Sequence, residues 1–570
     1  MASNNRLNKR KDLIRFSALI AILLLTNIIA SFLFTRFDLT AEKRYSLSPT
    51  TKDLLSNLHD VVYVKVYLEG EFPAGFKKLR NSTREMLDEF RVYANGNIEY
   101  EFINPSVGAN EKERNQIYNQ LADKGLQPTN LETKEGDAVS SKIIFPGAIM
   151  TYINRDYPIQ LLKNRLGAGP DEMLNNSIES LEYELANGIR QLTRQKKPRI
   201  AFDIGHGEPD SILFYDLTTT LKANYDLDRM TISGKLEKDS LVSSLSSYDV
   251  LIVAKPTLPF QEQEKFLVDQ FVMRGGRVLW MIDGMAASMD SLKDAPTTIA
   301  IEQPLNLEDQ LFNYGVRINP NMVLDLKCSP IPMVTGVTGN QPHTELRPWV
   351  YFPVSFPENT HPIVRSLNAI LLKFASSIDT VGAKSIKKTI LLSSSQYTKT
   401  VFTPARISLS VAQERPVIEQ YNKHGQIVSV LLEGEFRSVF TNRVPLELQN
   451  YRIGFKNKSI SNKMIVVSDG DVAMNDVKRS AGRIFPLGYD SYTKQQFGNK
   501  NFMLNCIDYL CDDSNLIELR AKELKLRLLD KTKMEDEKLY WQITNTAGPV
   551  LLLILLGLVQ FFLRKKKYGV

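Results

Sequence analysis

Two long uncharged stretches, one near each end of the chain, constrain this sequence more than any other feature. Phe16 to Thr35 is 20 residues without a charge, with the core SALIAILLLTNIIASFLF. At about 1.5 Å per residue it covers roughly one hydrocarbon thickness. Ile543 to Leu563 is the second, ending in VLLLILLGLVQFFL and stopped by Arg564-Lys565-Lys566-Lys567. A cleaved signal peptide is the rival reading of the first stretch. Its apolar run is long for one, and no A-x-A site follows. We therefore expect two transmembrane helices, 16–35 and 543–563.

Charge sets their orientation. Residues 1–15 carry Arg6, Lys9, Arg10, Lys11 and Arg15 against Asp12, and residues 564–570 carry four cations. Each end is thus +4, and of the formal +7 the 548 residues between them keep only −1. A basic excess confined to the ends gives no case for nucleic-acid binding by the bulk of the protein. By the positive-inside rule both termini are expected in the cytoplasm. Residues 36–542 then lie together on the far side, which for a bacterial inner membrane is the periplasm.

The 43% hydrophobic and 24% charged composition is that of a globular chain, long enough for three or four units. We expect a multi-domain α/β ectodomain between the spans. Residues 1–15 and 564–570 are short basic tails. Residues 36–165 read as strand–helix–strand–helix–hairpin, a thioredoxin-like layout: Val62, Val64, Val66 and Leu68 alternate, and Phe76, Leu79, Thr83, Met86 and Phe90 follow at helical spacing. No cysteine lies there, so redox chemistry is excluded. Residues 166–195 read as one long linking helix, with Ile178, Leu181, Leu185, Ile189 and Leu192 on one stripe.

From 196 to 300 the apolar runs Ile200–Ile204, Val250–Ala254 and Val278–Ile282 do not alternate cleanly. This predicts strands covered on both faces, a parallel sheet with helices either side. Residues 301–515 read as a second α/β-rich region, with strands at Thr389–Ser393, Val428–Leu432 and Met464–Ser468. The segment TGVTGNQPHTELRPWVYFPVSF reads as loop-rich. Whether 196–515 is one sheet or two domains stays open at this level. Residues 516–542 read as a charged stalk helix. Cys328, Cys506 and Cys511 are an odd count with no framework spacing, so no disulfide is required.

The candidate functional residues are Gly205, His206, Gly207 and Glu208, with Asp469 and Asp471. Only five histidines occur in 570 residues, and His206 stands between two glycines in a loop at the end of a strand, where open α/β sheets hold ligands. The bland reading is a structural turn. Asp469-Gly470-Asp471 is a second strand-end turn. The other histidines are scattered, the later ligands of a calcium loop are missing, and no metal or cofactor is expected. There is no Gly-x-Ser-x-Gly elbow and no Gly-x-x-x-x-Gly-Lys-Ser/Thr loop. Catalytic residues are not expected; the alternative is a hydrolase or amidotransferase-like enzyme using His206 and Glu208, and a further one is a pure envelope scaffold.

DLTAEKRYSLSPTT, GHGEPD, YDVLIVAKPTLPFQEQEKFLVDQFVMRGGRVLWMIDG, VLLEGEFRSVFTNR, VVSDGDVAMND and PLGYDSYTKQQFGNKNFMLNCIDYL, together with the terminal span, resemble the GldG family. That family comprises gliding-motility-associated substrate-binding (auxiliary) components of ABC transporters in Bacteroidota. The middle region also resembles auxiliary ABC-transport and intraflagellar-transport-type domains, similar to a glutamine-amidotransferase-like or flavodoxin-like sheet without the catalytic cysteine. The resemblance implies a non-catalytic subunit partnered by a GldF-like permease and a GldA-like ATPase. It carries over no catalytic residue.

Overall fold

The computed structural model describes residues 14–27, 47–106, 110–135, 138–163, 169–194, 196–232, 245–338, 341–357, 361–383, 385–443, 454–512, 516 and 536–568. It divides into two units. In the terminal unit, helix α1 (Ile14–Asn27) is apolar but only 14 residues long in its described part, and the remainder of the expected first span, 28–35, lies outside the described residues. At the other end Lys538–Lys566 is long and apolar enough to cross a membrane, with mean hydropathy 2.2. The expected stalk falls mostly on residues that are not described.

The second unit, Leu47–Lys522, begins with α2 (Pro49–Ser56). Ser48 caps it by accepting from Thr51 N–H, and Pro49 takes the first turn, where no intrahelical N–H is needed. Strand β1 (Val62–Val66), α3 (Ala74–Tyr93), β2 (Ile98–Phe102) and α4 (Glu111–Asp123) follow. Hairpin β3–β4 (Thr129–Glu135, Ala138–Ile144) was not anticipated; β5 (Gly147–Tyr152) and β6 (Arg155–Gln160) form the hairpin that was. The four-stranded sheet has the order β2-β1-β5-β6, with β1 parallel to β2 and antiparallel to β5.

The expected single helix over 166–195 is two: α5 (Pro170–Glu179) and α6 (Leu181–Thr193), broken at Ser180. Nor is it a free linker. Leu174, Leu181, Leu185, Ile189 and Leu192 lie in the same core as Val62, Val64 and Val66. A stripe that wide on an amphipathic helix needs a partner surface, and the adjoining sheet supplies it.

The large sheet has seven strands. Its parallel part is built from β7 (Arg199–Asp203), β8 (Asp226–Met230), β9 (Val250–Ala254) and β10 (Arg277–Met281). The helices between them include α7 (Tyr215–Lys222) and α8 (Glu262–Met273), and α9 (Glu308–Tyr314) follows β10. After a long hairpin, β11 (Cys328–Thr338) and β12 (Gln341–Ser355), three later strands join the same sheet: β13 (Ile386–Ser393), β14 (Ile427–Arg437) and β15 (Lys458–Val467). The order is β13-β14-β15-β10-β9-β7-β8, with β15 parallel to β10 and β14 antiparallel to β15. The open question is thereby answered: strands from 199–281 and from 386–467 share one sheet.

Both faces of that sheet are covered, as non-alternating strands require. Ile252, Leu279 and Ile465 face one core with α7 and with α10 (Asn499–Leu510); Leu251, Trp280 and Val466 face the other with α8 and α9. The segment expected to be loop-rich is β11–β12, paired from Cys328↔Pro353 to Thr338↔Gln341. Its prolines interrupt the alternation by which a strand shows in sequence. Over most of its length the ribbon pairs only with itself, a further short strand joining β12 only at Val354 and Ser355, so half its N–H positions face outward and tolerate proline.

Candidate functional site

The parallel strands end at one edge, and four of the five, all but β8, run into a charge. Apolar IAF, WMI and VVS run into Asp203, Asp283 and Asp469, and VLIVA runs into Lys255. Register aligns these ends, since Met281 lies opposite both Ala254 and Val467. The chain leaves β7 for β8 on one side, and β9 lies on the other, so the topological switch point falls between β7 and β9. The loop after β7 holds Gly205 to Glu208, and it is locked to the loop after β9: Thr257 and Leu258 N–H both donate to His206 C=O at 2.8 Å. Gly207 is required there. Its φ is +74°, and a Cβ would lie 2.3 Å from Thr257 Oγ1.

His206 is buried. Its Nδ1 is 2.7 Å from Asp203 Oδ2, its Nε2 is 3.1 Å from Glu264 Oε2, and its ring stacks on Phe260 with centroids 3.5 Å apart. Burial alone would lower the imidazole pKa, but the bonds and charges of Asp203 and Glu264 outweigh it and hold it above its ordinary value. Glu208 accepts His206 N–H on Oε2 at 2.7 Å. Its Oε1 is buried 3.8 Å from Nδ1 with no hydrogen-bond partner among the described residues. Burial, reinforced by the charge of Asp203, pushes the Glu208 carboxyl up to about 7.

Asp469 and Asp471 belong to a second cluster. Asp469 caps the turn Gly470–Ala473, accepting from Asp471 N–H at 2.7 Å, and its other oxygen accepts from Lys373 N–H at 2.7 Å. Asp283 accepts from Gly470 N–H at 2.6 Å. Lys255 Nζ sits among these carboxylates, 3.1 Å from Asp283 and bonded to Asp471, while Lys373 Nζ reaches Asp476 at 3.0 Å. Burial opposes the charge on Lys255, but Asp283 and Asp471 outweigh it and raise its pKa. Burial first, then Asp471 and Asp283, push the Asp469 carboxyl well above the usual range.

The sequence candidates are thus split between two clusters at the carboxyl edge of the sheet, and neither is an isolated turn. Sequence reading missed Asp203, Glu264, Lys255, Asp283 and Lys373. A signal existed for three of them: a charged residue directly after each apolar run. Glu264 and Lys373 carry none, because their partners are distant in sequence. Beside Asp283 opens a cleft of about 580 Å³ lined by Leu305, Leu307, Phe312 and Ile318, with Glu302 and Arg317 among its polar groups.

A family model described as an ABC-type uncharacterized transport system matches residues 197–506. A second, described as a domain of unknown function, matches residues 41–151. An uncharacterized protein of Borreliella burgdorferi is 20% identical over 571 residues, covering 98% of this chain and 99% of that protein. Among solved structures, the mmIFT52 N-terminal domain is 14% identical with a TM-score of 0.30, covering 55% of this chain and 98% of that one. A putative thua-like protein from Bacteroides uniformis is 13% identical with a TM-score of 0.26, covering 56% and 96%.

Proposed function

The chain belongs to the ABC-type uncharacterized transport system family, and on that premise we propose that it is a non-catalytic, membrane-anchored auxiliary subunit that couples a periplasmic α/β body to a permease and an ATPase. The family match over the whole parallel sheet carries the reading. The C-terminal helix supports membrane association, and the sequence has no phosphate-binding loop of its own, so in an energised process the energy would enter through another chain. The finer reading follows from the resemblance to the GldG family: two spans, both termini cytoplasmic, and a role in gliding motility beside GldF-like and GldA-like partners.

The carboxyl edge of the sheet is the proposed place of ligand or partner binding, with the Gly205–Glu208 loop and the cleft beside Asp283 as its two openings. A hydrolase using His206 as base is disfavoured by geometry. A base needs a free ring nitrogen, and both nitrogens face carboxylates at 2.7 and 3.1 Å. The scaffold reading has one observation in its favour: the β11–β12 ribbon exposes Val334 and Leu346 by 57% and 47%. Affinity purification of the full chain from mild detergent tests the main reading. A permease and an ATPase should co-elute; their absence overturns it. Crosslinked protein adducts at the ribbon without them favour the scaffold.

A further inference from the structure

Two trios of titratable side chains stand at the same sheet edge, one of three carboxylates and one of two carboxylates and an imidazole. Asp283, Asp469 and Asp471 enclose a built-in cation, the ammonium of Lys255. Asp203, His206 and Glu208 offer three donor atoms within 4.8 Å of one another and, among the described residues, enclose no lysine or arginine. Among the described residues no Lys or Arg pairs with Asp203, Glu208 or Glu264; the ion pairs they form are all with His206.

Charge and hydrogen-bond capacity do not balance there. The side chains of Asp203 and Glu208 are 0% and 4% exposed. Glu264 is accommodated separately, in the first turn of α8, where it accepts Gln261 N–H at 2.7 Å and faces the positive end of the helix. One oxygen of each accepts backbone N–H, Asp203 Oδ1 from Gly205 and Ile232 and Glu208 Oε2 from His206, so Asp203 Oδ2 and Glu208 Oε1 are left facing a single ring nitrogen. One N–H at Nδ1 can serve only one of them, and it serves Asp203 at 2.7 Å, leaving Glu208 Oε1 orphaned at 3.8 Å. A buried carboxylate oxygen without a partner is costly. A cation on Nδ1 in place of that proton would serve both.

We propose that Asp203 Oδ2, His206 Nδ1 and Glu208 Oε1 bind a divalent transition-metal ion of the zinc class. The donor set, one imidazole and two carboxylates, is of that class, and a carboxylate on the second ring nitrogen is the usual arrangement behind a metal-bound histidine. Glu264 occupies that place, at 3.1 Å from Nε2. At metal–ligand distances of about 2.0–2.1 Å the edges of a tetrahedral site are roughly 3.3 Å. The present separations of 2.7 and 3.8 Å from Nδ1 lie on either side of that value. Gly205 and Gly207 are exposed, so the ion has a way in from solvent. The ion would tie the loop after β7 to the first turn of α8 across the switch point.

The test uses the tag-free full chain in detergent, stripped with a chelator and titrated with Zn²⁺ alone. One equivalent should bind. Glu208→Gln, which keeps the acceptor for His206 N–H, should weaken binding by at least about tenfold. Glu264→Gln should weaken it by roughly 10–100-fold. Glu345→Gln, on the exposed β11–β12 ribbon, should leave it unchanged. X-ray absorption on the wild-type zinc form provides a readout independent of any variant's folding, with one imidazole nitrogen and oxygen donors expected. Absence of a bound equivalent, binding unaffected by Glu208→Gln, or a first shell without imidazole overturns the proposal.

Discussion

Lys255 adopts a left-handed backbone, φ +54°, which disfavours a residue with a Cβ. The strain is held because its ammonium is the counter-charge for Asp283 and Asp471. Lys255→Met would bury those carboxylates unpaired, and we expect a loss of about 3–5 kcal/mol at pH 7.5 in urea unfolding. The loss should shrink on acidification: a carboxyl whose folded pKa is raised binds its proton more readily folded than unfolded, so stability recovers as pH falls through the folded value. Gly470 is the complementary constraint. A Cβ there would lie 2.6 Å from Lys255 Cβ, and Gly470→Ala should cost about 1–3 kcal/mol in the same assay. His361 titrates the opposite way. Burial lowers its pKa to about 4, and its Nδ1 accepts Ile363 N–H at 3.3 Å, which needs the neutral ring. Its stabilisation is complete above the unfolded value near 6.5 and is lost as pH falls towards 4. Between pH 7 and 5 the wild type should lose up to roughly 2 kcal/mol that His361→Gln does not.

Among elements, the C-terminus of α10 is heavily tied. Arg277 donates to Leu510 C=O at 2.6 Å, Arg194 to Cys511 C=O at 3.0 Å, and Lys463 to Asp512 C=O at 3.1 Å. Arg190 of α6 pairs with the Asp512 carboxylate at 2.8 Å, with side-chain exposures of 9% and 1%. Cations suit a helix C-terminus, whose last carbonyls lack partners. These four come from α6, the segment after it, β10 and β15, so this end binds the large sheet to the helix that closes the first one. Arg190→Met should therefore cost about 3 kcal/mol or more in denaturant unfolding, because it leaves Asp512 buried without its cation. Most strands and helices here are legible from apolar periodicity alone: Val250–Ala254 matches the sequence reading to the residue. The β11–β12 ribbon and the break at Ser180 were not, since a proline-rich ribbon has no clean alternation and a helix break of one residue leaves the stripe intact.

At the scale of the molecule, the large sheet is assembled from distant parts. Strand β15 enters between β10 and β14 after more than a hundred intervening residues, so the edge of β10 is covered only when the chain has been made to residue 467. A chain ending at residue 385 should expose that edge and aggregate, which sedimentation would detect; a folded monomer would contradict this account. The proposed topology is tested separately. Reporters that mature only outside the cytoplasm should be active when inserted in the β11–β12 turn and silent at either terminus.

Apolar runs and their charged flanks suffice to read a C-terminal helix long and apolar enough to cross a membrane, the doubly covered strands and the exposed glycine loop, because hydrophobic burial and helix or strand periods act over a few neighbouring residues. The composition of the two charged clusters is of another kind. His206 meets Glu264 across 58 residues, and Lys255 meets Asp471 across 216. Which charge is buried beside which depends on where strand ends come to lie, and strand order is set by packing across the whole sheet. Tertiary structure alone therefore decided that the three-carboxylate cluster carries its own lysine and that the pair of carboxylates around His206 leaves an oxygen unpartnered.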